Sequence, residues 1–93
     1  MQIVYGPRFK DRFNDIWDFI ATDSKNRANQ FKKELKEKIE DLVHMPYKFK
    51  QSIYFDDKNI RDLVYKGYTV PYKIDEANNR IIIIGINKYK RDL

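Results

Sequence analysis

The stretch RDLVYKGYTVPYKID, Arg61 to Asp75, decides how the chain folds. Lys66-Gly67 stands between two runs rich in β-branched and aromatic residues, the pattern of two strands joined by a two-residue turn. Loop length sets the register, so Tyr65 falls opposite Tyr68, Leu63 opposite Val70 and Arg61 opposite Tyr72. Alternation then puts Leu63, Tyr65, Tyr68, Val70, Tyr72 and Ile74 on one face, apolar enough to lie under helices. Asp62, Val64, Thr69, Pro71, Lys73 and Asp75 take the other face, which is expected to be open or covered by a partner. Pro71 has no N–H to give to a neighbouring strand, so it marks a bulge or an unpaired position.

Downstream, Glu76 to Asn79 reads as a second turn and Arg80 to Asn87 as a third strand. Its run Ile81-Ile82-Ile83-Ile84 is apolar on both faces, which places it inside the sheet. Upstream, Gln2 to Tyr5 is a short strand closed by Gly6-Pro7, with the proline placed to start a helix. Phe9, Phe13, Ile16, Trp17 and Ile20 then recur on one helical face ending near Thr22. Asp23 or Ser24 caps a second helix, in which Ala28, Phe31, Leu35, Ile39, Leu42 and Val43 repeat the pattern until Pro46. Lys33 with Glu37, Glu34 with Lys38 and Lys36 with Glu40 are i,i+4 pairs on its wet side. His44 lies in the last turn, where a partial positive charge suits the carbonyl end of the helix. Met45 to Asn59 is a polar connector dotted with aromatics. The expected fold is α+β: an antiparallel helical hairpin packed on a mostly antiparallel four-stranded sheet, in the order β-α-α-β-β-β.

Composition limits the function classes. The 93 residues show neither repeat nor linker and read as one domain, 1–93. With 42% hydrophobic residues the chain has enough apolar surface for a core. No cysteine and one histidine exclude thiolate metal sites and most zinc chemistry, so no metal and no cofactor are expected. The apolar run at Ile81 is too short to span a bilayer, and the N-terminus has the form of no signal peptide; a cytoplasmic protein is expected. The formal charge of +5 is uneven, net +1 over Met1 to Val43 and net +4 from His44 onward. A basic half of this kind attracts nucleic acid or an acidic protein. The last seven residues, NKYKRDL, add a tyrosine among basic side chains, the mix that grips phosphates and stacks on bases.

With these elements in order, the whole chain resembles the RelE/ParE superfamily of toxins from bacterial type II toxin–antitoxin modules. The stretch IWDFIATDSKNRANQFKKELKEKIEDLVHMP is similar to its helical hairpin, IRDLVYKGYTVPYKID to its arginine-led strand and turn, and RIIIIGINKYKRD to its last strand and basic end. The resemblance implies a growth-inhibiting protein silenced by a cognate antitoxin, a device that stabilises plasmids. It implies one of two targets: DNA gyrase for ParE-like members, or mRNA in the ribosome for RelE-like members, which cleave it without metal. For a nuclease the resemblance implies a catalytic set drawn from Arg61, Lys88, Tyr89, Lys90 and Arg91. Contacts to target or antitoxin are expected at Lys66, Thr69, Lys73 and Arg91. One departure bears on the choice. Where RelE-like nucleases often place an arginine just after the GY of the middle strand, this chain has Thr69, which supplies no cationic fork to a phosphate. That departure, with the form of the helical hairpin, favours ParE-like inhibition over a RelE-like nuclease or an inactive nucleic-acid-binding member of the superfamily.

Overall fold

The computed structural model describes residues 1–88. Strand β1 (Gln2–Tyr5) leads into helix α1 (Pro7–Asp23) and helix α2 (Lys25–Glu40), followed by a 3-10 turn at Asp41–Val43. After a long connector come β2 (Ile60–Tyr65), β3 (Tyr68–Asp75), a 3-10 turn (Glu76–Asn78), β4 (Arg80–Ile83) and the two-residue β5 (Asn87–Lys88). The sheet runs β1-β4-β3-β2, with β5 continuing beside β3. Strand β1 lies parallel to β4; the other pairings are antiparallel.

The helical hairpin forms as its sequence dictates. Pro7 occupies the first turn of α1, and Ser24 both closes α1 and caps α2, its hydroxyl accepting from the Arg27 N–H at 3.2 Å. The second helix stops earlier than Pro46 suggests: after Glu40 the chain tightens into the 3-10 turn, which seats Leu42 in the core. His44 follows that turn, exposed, its N–H donating to the Asp41 carbonyl at 3.1 Å. A ladder of rings then ties the layers together. Tyr5, Phe9, Phe13 and Phe31 stand in sequence with centroids 5.6 to 6.0 Å apart, and Phe31 reaches both Tyr65 and Tyr68 of the sheet.

The β2–β3 register is as the loop length predicts: Tyr65↔Tyr68, Leu63↔Val70 and Arg61↔Tyr72. Lys66 and Gly67 both take positive φ, 46° and 81°, the backbone of the turn that matches strand twist. Leu63, Val70, Tyr72 and Ile74 are at most 1% exposed under the helices.

Two expectations need correction, and one feature was not anticipated. The third strand is not continuous from Arg80 to Asn87. Tyr72 pairs with Ile83 and Thr69 with Asn87, so Val70 and Pro71 face three residues, Ile84 to Ile86. That extra residue is a bulge, and its cause is Pro71. Its carbonyl accepts from the Ile84 N–H at 2.9 Å, but with no N–H to return it releases the next residues from the ladder. The sheet therefore has five strands. Nor is the second face of the hairpin fully open: Thr69 is 2% exposed and Pro71 is buried, while Val64 and Lys73 are exposed as expected. Finally, the connector does not simply cross the surface. Lys50 to Ser52 run along the outer edge of β2, with Asp62 N–H to Lys50 O at 3.1 Å and Ser52 N–H to Ile60 O at 2.7 Å.

Candidate functional site

Among the described residues the sheet holds the basic candidates Arg61 and Lys88 apart. Arg61 lies opposite Tyr72 and Lys88 opposite Tyr68, four positions apart on β3. At strand rise that separation is about 13 Å. Arg61 is also committed locally. Its guanidinium donates to the Lys58 carbonyl at 3.1 Å and the Phe49 carbonyl at 3.0 Å, and it stacks 5.1 Å from the Tyr47 ring. These bonds hold the connector against the sheet, a structural task. Lys73, at the same end, is exposed and 3.9 Å from Asp57.

Lys66 and Lys88 share the other end of the sheet. Lys66 bridges to Glu34 of α2 at 2.9 Å, and the Tyr65 hydroxyl donates to the same carboxylate oxygen. Those two bonds, the tyrosine first, hold the Glu34 carboxyl down at about 2. Glu34 thus turns toward the sheet instead of pairing with Lys38, whereas Lys36 and Glu40 do approach, at 3.9 Å. Lys88 lines a shallow depression with Arg12, Asp15, Phe19 and Tyr68. Thr69, beside it, is buried. Tyr89, Lys90 and Arg91 lie outside the described residues.

A more apolar concavity was not among the sequence candidates. Between α1, α2 and the end of β1 lies a cleft of about 370 Å³ floored by Tyr5, Phe9, Phe13, Leu35 and Ile39. Lys10, Lys32 and Lys36 stand around it with Asn14, and no carboxylate lines it. The Tyr5 hydroxyl is buried there without a hydrogen-bond partner, and burial, then the nearby Glu40 charge, push its pKa up. A signal for this cleft does exist in the sequence. Phe9-Lys10, Phe31-Lys32 and Leu35-Lys36 each set a lysine one step round the helix from an apolar position, which flanks the stripe with charge. An apolar floor with a cationic rim and one unpaired hydroxyl suits an apolar segment carrying carboxylates.

Among the described residues no helix is long and apolar enough to cross a membrane. A family model described as the ParE toxin of the type II toxin–antitoxin system parDE matches residues 3–93. Among solved structures, a chromosomal ParDE toxin–antitoxin system from P. aeruginosa superposes with a TM-score of 0.76 at 13% identity, covering 97% of each chain. The isolated E. coli RelE toxin superposes with a TM-score of 0.63 at 14% identity, over 98% of this chain and 86% of that one. No curated protein sequence matches the chain.

Proposed function

Because the chain belongs to the ParE toxin family of type II toxin–antitoxin systems, we propose that it arrests growth in the cytoplasm by holding a protein target, DNA gyrase, and that a cognate acidic antitoxin silences it. The observation that carries this reading is the separation of the basic side chains Arg61 and Lys88 among the described residues. Cleavage of a phosphodiester without metal needs cations and a proton-transfer group converging within hydrogen-bond reach of one phosphate. Here Arg61 is spent on the connector, Thr69 is buried where a nuclease of the superfamily would carry arginine, and Lys88 stands about 13 Å from Arg61 along the strand. Binding a protein asks for no such convergence.

The same reading gives the antitoxin a seat. A disordered acidic segment that folds on binding gains most where apolar burial and unpaired lysines coincide. The cleft between the helices meets both conditions, and Lys10 and Lys32 make no ion pair among the described residues.

The deciding experiment induces the chain in cells and follows plasmid supercoiling and mRNA integrity in the same cultures. Loss of negative supercoiling with intact mRNA is the expected result. Prompt mRNA cleavage with normal supercoiling overturns the gyrase assignment in favour of a ribosome-dependent nuclease.

A further inference from the structure

We infer that the outer edge of β2, together with the Ile53–Phe55 loop beside it, docks an extended acidic segment of the target protein. This rests on the protein-binding reading above and names the surface that meets the target, separate from the cleft between the helices.

Hydrogen-bond bookkeeping locates the edge. In β2 the residues facing away from β3 are Ile60, Asp62 and Val64, because the tight turn makes Tyr65–Tyr68 a bonded pair and every second pair thereafter. The Ile60 carbonyl and the Asp62 N–H are taken by Ser52 and Lys50. There the cover ends. Among the described residues the Asp62 carbonyl and both backbone groups of Val64 have no backbone partner. An uncovered edge is a template for another strand, and natural proteins usually blunt theirs. This chain blunts only half of one.

Exposed apolar side chains stand at both ends of this edge, Val64 at the open end and Ile53 just past Ser52 at the Ile60 end. Val64 is 55% exposed and Ile53 is 78% exposed, with Tyr54 and Phe55 exposed next to it. The loop is held in place: Asp62 Oδ2 accepts from the Ile53 N–H at 3.1 Å, and Ser52 Oγ from the Tyr54 N–H at 3.1 Å. Apolar groups fixed on the surface beside free backbone donors and acceptors are what strand addition uses, the backbone for affinity and alternate side chains for selectivity. Charge chooses the occupant. Lys50 faces Asp62 across the edge, Lys48 precedes it, and neither makes an ion pair among the described residues. A segment alternating apolar side chains with carboxylates fits both features.

The test uses the full chain in cells, read by the amount of toxin needed to stop growth. Val64→Pro removes the outward N–H and no bond to β3; Ile53→Ser removes the most exposed apolar side chain of the loop; Val64→Thr keeps the N–H and the branched shape. Val64→Pro and Ile53→Ser are expected to raise the amount needed by about tenfold, the effect of losing one interface anchor, with Val64→Thr near wild type. Melting temperature and antitoxin affinity should stay at wild-type values; if Val64→Pro melts early, Ile53→Ser decides. Arrest by both variants at wild-type amounts overturns the inference, as does an equal loss of antitoxin affinity, which assigns the edge to the antitoxin. Growth arrest does not depend on which target is hit. A wild-type chain that stops growth without changing supercoiling therefore overturns gyrase and leaves this comparison readable.

Discussion

Gly67 and Glu34 show what single residues contribute here. Gly67 has φ of +81° with nothing within 4 Å of a would-be Cβ, so its role is conformational only. Gly67→Ala should cost about 1 kcal/mol, read as a lower midpoint in denaturant with unchanged slope. Glu34 acts through charge. Its carboxyl is depressed from 4.5 to about 2 by the Tyr65 hydroxyl and the Lys66 ammonium. A depressed carboxylate favours the fold above its unfolded value, and that contribution fades as pH falls toward the folded value. Glu34→Gln is therefore expected to melt below wild type from pH 7 down to about 5, with the gap narrowing below 4.5. A gap that widens with acid would refute the clasp. Lys66 adds to this picture. It was legible as basic and exposed, but its bond to a helix thirty-two residues earlier was not, because only the packed hairpin brings Glu34 over the turn.

Among elements, the hairpin was readable because a two-residue turn leaves one register, and the helices because their apolar spacing is regular. The last strand was not. Its sequence is uniformly apolar, and the break at Ile84 to Ile86 comes from a proline on the neighbouring strand. Local pattern carries no trace of a partner's missing N–H. The edge formed by Lys50 to Ser52 was hidden for a similar reason, being set by contact with β2 and not by local propensity. As for the site, the lysines beside Phe9, Phe31 and Leu35 were present in the text, but their convergence depends on how the two helices cross. Phe31 is the joint of that arrangement, touching Phe13 on α1 and Tyr65 and Tyr68 on the sheet. Phe31→Ala should cost about 3–5 kcal/mol in chemical unfolding, since it empties a site where both helices meet the sheet. A loss under 1 kcal/mol would mean that the layers close over the gap.

For the whole molecule, the formal charge of +5 suggested a basic face on the C-terminal half, whereas the cleft is built from the nearly neutral N-terminal half. Net charge by segment hid three lysines that matter because of where they stand. Reversing two of them, Lys32→Glu with Lys36→Glu, is expected to weaken antitoxin binding about tenfold or more at low salt. The difference from wild type should shrink as added salt screens the exposed rim. Calorimetric titration across a salt series checks this, and a salt-independent difference would point to packing instead.

One pairing in the sheet also sets when the protein comes into being. Strand β1 lies parallel to β4, with Gln2 beside Arg80 and Ile3 beside Ile81, and Gly6 comes so close that a Cβ there would stand 2.8 Å from the Ile83 carbonyl. Strand β1 thus waits for β4, made much later, before it finds its place. Ribosomes add about 5–20 residues per second, so the helical hairpin is out for seconds before its sheet is complete. Throughout that interval the aromatic ladder has no strands to close upon. Synthesis itself thus delays the appearance of the folded toxin by the time taken to make the chain from α2 to β4.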